Sequence, residues 1–232
     1  MKNKPSILIT GGGQRIGLHC AQRFVEDGYH VTITCRNFRK EWAENPLKGI
    51  DVVQADFSTI EGIEEFIDTI KSQGKKFRAI IHNASQWLDD SEGCESFQTM
   101  FMIHMQAPYM INNACDVLFY DDGPADIVHV TDYGAQHGSG KHVAYASTKA
   151  GLENMTLSYA KKLAPRVKVN SIAPFLIMFN EWDSEEYKEK SLNKSVLGIE
   201  PGPEVVYQGV RYLMDNIYVT GECLNLDGGR HL

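Results

Sequence analysis

The sequence predicts an α/β fold, a doubly wound parallel sheet of about seven strands with helices on both faces. Three observations predict it. Short apolar runs of strand length recur between longer stretches whose apolar residues fall at helical spacing. A glycine-rich turn, Gly11 to Gly17, follows the first of those runs and opens a helix-like stretch. With 232 residues and 43% hydrophobic content, the chain is long enough for one large domain and short for two. No linker, repeat or low-complexity run marks a boundary, so a single domain over residues 1–232 is expected.

Taken in order, Ser6 to Thr10 reads as the first strand, and a helix follows the glycine turn to Asp27, where Gly28 stops it. Val31 to Cys35 reads as the second strand and Asp51 to Ala55 as the third. A helix from Thr59 to Ser72 then carries Ile63, Phe66, Ile67 and Ile70 on a core-facing stripe. Arg78 to His82 is the fourth strand, followed by a long helical stretch from Ser96 to Leu118. Ala125 to Thr131 is the fifth strand, and a helix bearing Tyr145 runs to Leu163. Val167 to Ile172 and Glu222 to Asn225 complete the set. A segment from Phe175 to Pro203 interrupts the alternation; Asp183 and Ser184 are candidate caps of a short helix within it.

Composition excludes several classes. A net charge of −7 disfavours nucleic acid or an anionic membrane surface as partner. The opening MKNKPSILIT is too short in its apolar part for a signal peptide or a membrane span, so a cytoplasmic protein is expected. Five scattered cysteines, Cys20, Cys35, Cys94, Cys115 and Cys223, form no C-x-x-C pair. They read as buried or inert thiols, with neither a metal site nor a disulfide framework.

The chemistry concentrates between His129 and Lys149. Tyr145 and Lys149, four apart, share one helix face, so phenol and ammonium project into the same space. A cation beside a tyrosine stabilises the phenolate and pulls its pKa toward the working range. At the other end of the chain, the glycine turn and helix start can bring N–H groups to a diphosphate. After the second strand, Arg36, Asn37 and Arg39 stand where a carboxylate would select NAD. With Arg15 in the turn they point to a 2′-phosphate, and hence to NADPH. Asp56, just past a strand end, is a candidate for the adenine amino group or, equally, a helix cap.

Four motifs now agree in order and interval: T-G-x-x-x-x-I-G at Thr10 to Gly17, Asn83-Ala84, Tyr145-x-x-x-Lys149 and Asn170-x-x-x-Pro174, with Leu226-Asp227-Gly228-Gly229 at the close. Over essentially its whole length the chain resembles the short-chain dehydrogenase/reductase family, whose Rossmann-type fold matches the one predicted. Three departures resemble the pteridine-reducing branch: Arg15 in place of glycine, Asp132 in place of the serine thirteen residues before the tyrosine, and Ser85 after Asn83-Ala84.

The resemblance implies Tyr145, Lys149 and Asp132 as catalytic residues. It implies a cofactor site of Gly11, Arg15, Ile16, Gly17, Arg36, Asn37, Asp56, Phe57, Asn83, Ala84, Ser85, Thr131, Tyr145, Lys149 and Pro174. Ser85, Trp87, Asp132 and Tyr145 are implied to hold the substrate. Trp87 resembles the aromatic position that stacks on a pterin, the alternative being a tryptophan packed in the core. An ionised Asp132 can only accept hydrogen bonds, which suits a substrate presenting N–H groups.

The activity implied is NADPH-dependent reduction of a dihydropterin, 7,8-dihydromonapterin before dihydrofolate. A reductase of another carbonyl or quinonoid substrate and a non-catalytic NADP(H) sensor are the rival readings. His104 stands where the family often has asparagine, and reads as a relay group or a structural histidine. A homotetramer is also implied, with the tail Arg230-His231-Leu232 near a neighbour's site. Phe175 and Phe179 replace the family's glycine and threonine, so the segment from Phe175 must close differently.

Overall fold

The structure, a computed structural model, describes residues 5–232. Residues 1–4, with the two N-terminal lysines, lie outside the described residues, as does the Cys115 side chain. The elements in chain order are β1 (Ser6–Thr10), α1 (Arg15–Glu26), β2 (His30–Cys35), α2 (Glu41–Glu44), β3 (Ile50–Gln54), α3 (Ile60–Ser72), β4 (Ala79–His82), α4 (Cys94–Phe101), α5 (Ala107–Asn113), α6 (Cys115–Leu118), β5 (Ala125–Val130), α7 (Tyr133–His137), α8 (Val143–Leu163), β6 (Val167–Pro174), α9 (Glu185–Leu192), α10 (Glu204–Asp215) and β7 (Cys223–Leu226).

Among the described residues the strands form one seven-stranded sheet in the order β3-β2-β1-β4-β5-β6-β7. Every pairing is parallel, Ile7 facing Val31 on one side of β1 and Ala79 on the other. Parallel strands covered on both faces must be apolar on both, which is why Ile7, Leu8 and Ile9 are consecutive and fully buried. Leu8, Ile80, Ile127 and Val169 point into one layer, against α3, α5 and Tyr159 of α8. Ile7, Ile33, Ile81, Val128 and Ile172 point into the other, against Phe24 of α1 and Val206, Val210 and Leu213 of α10.

The chain runs outward through β1, β2 and β3, then returns to place β4 on the other side of β1. At that reversal the loops beyond the strand ends diverge and leave a crevice. No described helix is long and apolar enough to cross a membrane.

The long helix expected over Ser96 to Leu118 is broken. After α4 the residues Met102–Gln106 form a wider turn, and the Ala107 N–H reaches Met102 O, five residues back. Pro108 has no N–H for the carbonyl four residues earlier, that of His104, so the regular ladder cannot continue there. Helices α2 and α7 are too short to leave a periodic signal. Helix α10, not among the expected elements, buries Val206, Val210 and Leu213 at helical spacing. Ser184, not Asp183, caps α9, accepting from Tyr187 N at 3.2 Å.

Candidate active site

The crevice is a cleft of about 690 Å³. One end is the turn between β1 and α1. Gly11 there has φ +63, and a Cβ on Gly17 would lie 2.5 Å from Gly11 O and 2.6 Å from Asn83 Nδ2. Only glycines let the turn close this tightly against β4. Asn83 secures it, donating from Nδ2 to Gly11 O (3.0 Å) and Thr10 O (3.2 Å). Helix α1 starts with no side-chain cap and no acidic residue in its first turn, which leaves its N-terminal N–H groups available to an anion.

Beyond β2, Arg36, Asn37 and Arg39 line the same end. Arg36 donates to Gln86 Oε1 (3.0 Å), and the Arg39 guanidinium lies 5.3 Å from the Trp42 ring centroid. Two arginines and a row of unpaired N–H groups fit a phosphorylated dinucleotide. Arg15, however, is turned elsewhere: from φ 49 it donates to Asn180 Oδ1 (2.6 Å) and Met178 O (3.2 Å), clasping the segment that follows β6. Asp56 lines the cleft without capping α3, because Thr59 takes that role by accepting from Gly62 N. The Asp56 carboxylate instead accepts from Ser58 N at 2.9 Å.

At the other end, α8 delivers Tyr145 and Lys149 to the cleft and the end of β5 delivers Thr131 and Asp132. Lys149 is only 2% exposed and donates to Val130 O at 2.9 Å. Burial pulls its ammonium down to about 8, against the attraction of Asp132. Burial raises the Asp132 carboxyl, opposed by the Gly134 N–H it accepts at 2.7 Å and by Lys149.

Tyr145 departs from expectation. Burial first, then the Asp132 carboxylate that its hydroxyl meets, hold the phenol well above its ordinary value, with only Ser85 pulling the other way. Lys149 lies 5.7 Å from the ring centroid and does not offset this. In this arrangement Tyr145 is protonated, as a free phenol would be at neutral pH, and is the weaker acid of the two.

All but one of the site residues expected from sequence line this one cleft. The exception is Trp87, which is 53% exposed and meets the His142 ring edge-on at 4.9 Å. It is thus neither in the cleft wall nor in the core. The cause lies further along the loop: Asp90 accepts from Val143 N (2.7 Å) and Ala144 N (3.2 Å) at the start of α8, which draws the loop toward His142.

Gln86, Trp42, Ile103, Phe175, Ile177 and Met178 also line the cleft and were not expected as site residues. Phe175, Ile177 and Met178 directly follow Pro174, a signal that could have found them. Arg230 lies against its own chain, its guanidinium 3.9 Å from the Phe175 ring centroid and 4.5 Å from that of Tyr133. Of the described cysteines, Cys20 and Cys35 are buried, but Cys94 is exposed and Cys223 half-buried.

Residues 12–231 match a family model described as enoyl-(acyl carrier protein) reductase. The chain belongs to the short-chain dehydrogenase/reductase family. Within that family it is 48% identical to a dihydromonapterin reductase of Enterobacter sp. strain 638, all of each chain being covered. It is 46% identical to a dihydromonapterin reductase of Escherichia coli strain 536, with 97% of this chain and 96% of that one covered. Among solved structures, FolM alternative dihydrofolate reductase 1 from Brucella canis, complexed with NADP, superposes with a TM-score of 0.88. It shares 26% identity, with 100% of this chain and 95% of that one covered. A short-chain dehydrogenase from Leptospira borgpetersenii with bound NAD+ shares the fold at a TM-score of 0.86 and 21% identity, over 99% of this chain and 94% of that one.

Proposed function

We propose that this short-chain reductase uses NADPH to reduce a 7,8-dihydropterin to the tetrahydro form, with dihydromonapterin as its preferred substrate and dihydrofolate as a slower one. The observation that carries the reading is Asp132, a carboxylate that opens into the cleft beside Tyr145. A pterin presents amino and ring N–H donors, and a carboxylate accepts them where a serine would also have to donate. Full-length likeness to dihydromonapterin reductases supports the same substrate, and the Brucella complex supports NADP(H).

Reducing a C=N bond requires a hydride at carbon and a proton at nitrogen, and the nicotinamide supplies the hydride when bound. The chain's own residues divide the remaining work. Gly11, Ile16, Gly17 and the α1 N-terminus hold the diphosphate, with Asn83, Ala84 and Ser85 close by. Arg36 and Asn37 take the 2′-phosphate, joined by Arg15 if it leaves its clasp on Asn180, and Asp56 and Phe57 flank the adenine. Thr131, Pro174 and Lys149 bound the nicotinamide ribose pocket. Asp132 and Ser85 orient the pterin. Tyr145, protonated at neutral pH, delivers the proton directly or through water. Trp87 would stack on the pterin only after its loop swings inward from His142. The protein is proposed to be cytoplasmic, and to assemble as a homotetramer.

The test is NADPH oxidation at 340 nm with 7,8-dihydromonapterin and dihydrofolate, for the wild type and Asp132→Ser. The wild type should prefer the pterin and the variant should lose it. Reduction of a simple carbonyl and of neither pterin would overturn the substrate.

A further inference from the structure

The two arginines assigned to the 2′-phosphate are already in use. Arg15 Nη1 donates to Asn180 Oδ1 at 2.6 Å, and its Nη2 to Met178 O at 3.2 Å. Arg36 Nη1 donates to Gln86 Oε1 at 3.0 Å. All three acceptors are neutral oxygens, and a phosphate is the stronger acceptor for a guanidinium. The orientation of each amide is fixed by its surroundings. Asn180 turns its oxygen to Arg15 while its Nδ2 faces Asp183 Oδ2 at 3.3 Å, and Gln86 must present oxygen because a guanidinium accepts nothing.

The acceptors come from two segments far apart in sequence that both lead to the substrate end. Gln86 precedes Trp87 in the loop after β4, and its backbone N–H is fastened to His104 Nε2 at 3.2 Å, so that loop pivots at Gln86. Asn180 lies in the segment after β6, whose Phe175, Ile177 and Met178 line the cleft. Each arginine thus joins the cofactor end of the cleft to one segment of the substrate end.

Resting on the reading that the cofactor is NADPH, we propose that Asn180 and Gln86 are internal competitors of the 2′-phosphate: a phosphorylated cofactor draws Arg15 and Arg36 off these two amides and releases the segments that bound the substrate end, whereas NADH leaves both held. Only hydrogen bonds are exchanged. Cofactor identity is thereby read twice, once in the affinity for the cofactor and again in the affinity for the pterin. The free protein binds NADPH more weakly than its phosphate contacts alone allow, in proportion to the fraction of molecules with the amides engaged. By linkage, the factor that the phosphate adds to pterin affinity is the factor that the pterin adds to NADPH affinity.

The first test is binding without turnover, NADPH and NADH being titrated by nicotinamide fluorescence into the whole protein. Removing a competing acceptor in Asn180→Ala or Gln86→Ala should tighten NADPH about two- to tenfold and leave NADH unchanged. Gln86→Glu places a charged acceptor on Arg36 and should act in the opposite direction, weakening NADPH alone. Alanine variants that gain nothing for NADPH, or that shift both cofactors alike, would overturn the proposal. Gln86→Ala reads the same competition in the other loop if Asn180→Ala disturbs the turn with Asp183.

The second test is calorimetry of 7,8-dihydromonapterin against protein saturated with NADP+ or NAD+, neither of which carries a hydride to transfer. The wild type should bind the pterin more tightly with NADP+, and Asn180→Ala/Gln86→Ala should bind it equally with either. Equal affinities in the wild type would rule out the release. A wild type that binds NADH as tightly as NADPH would defeat the cofactor reading and this proposal with it, whereas an NADPH-selective wild type whose variants change nothing defeats the proposal alone.

Discussion

Around Gly17 the cleft wall is backbone, and an added Cβ would collide with Gly11 O at 2.5 Å; around Asp132 and Phe175 the wall is side chains carried on loops. The glycine end is held by main-chain and Asn83 hydrogen bonds between neighbouring strands. The tyrosine end is assembled from β5, α8, the loop after β4 and the segment after β6, far apart in sequence. A wall of backbone leaves little room for substitution, whereas a wall of loop-borne side chains can be changed one residue at a time. On the function proposed above, that contrast puts cofactor binding where the structure is stiff and substrate choice where it is adjustable.

The largest effect expected at the tyrosine end comes from Tyr145→Phe. Turnover should fall roughly 10²- to 10⁴-fold while NADPH affinity stays unchanged, measured by stopped-flow oxidation and fluorescence titration. Equal losses in both would break the division between the two ends.

Gly17→Ala tests the stiff end and should cost about 1–3 kcal/mol of stability through overpacking, with NADPH binding weakened in parallel. Denaturant melts and titration of the cofactor would check it; a variant that binds normally would show that the turn can relax.

Arg36→Gln should lower the preference for NADPH over NADH by about tenfold if, as proposed, Arg36 makes a charge-assisted contact to the 2′-phosphate. Comparing kcat/KM for the two cofactors reads this directly.

A smaller and more diagnostic effect is the pH response of Lys149. Its folded pKa, about 8, lies below the ordinary 10.5 because the ammonium is buried. The charged form is therefore lost as pH rises through about 8, and turnover should fall to about half its maximum there. Stability should move the opposite way. The cost of burying the charge is full below about pH 8 and is relieved between there and the ordinary value, where the unfolded chain binds more protons than the folded one. Lys149→Met should abolish that rise in melts taken across the window.

Trp87→Ala should be the mildest. At a half-exposed site the change in stability should stay within about 0.5 kcal/mol. KM for the dihydropterin should nonetheless rise several-fold if the loop closes on the substrate, and an unchanged KM would leave Trp87 out of the site.

Legibility in the sequence followed the same division. Gly11 to Gly17, Tyr145 and Lys149 were readable because each acts at short range, through a turn or a helical spacing of four, whereas Asn83, which bonds Thr10 and Gly11 across the sheet, was readable only through the family motifs. The place of Trp87 was not legible because it depends on Asp90 binding the start of α8, more than fifty residues away. The tuning of Tyr145 was not legible, because spacing shows the nearby cation but not the burial or the Asp132 carboxylate that raise the phenol's pKa.

The sequence by itself determined the strand and helix alternation, the glycine turn, the arginines beyond β2 and the Tyr145–Lys149 pair, since periodicity and local sterics act between residues close in the chain. Only the tertiary structure decided that Arg15 clasps Asn180, that Trp87 stands outside the cleft, that Tyr145 is a weaker acid than a free phenol, and that Ser85 meets His104. Those outcomes depend on burial and on distances between segments brought together by the sheet, and neither is written in any local stretch of the chain.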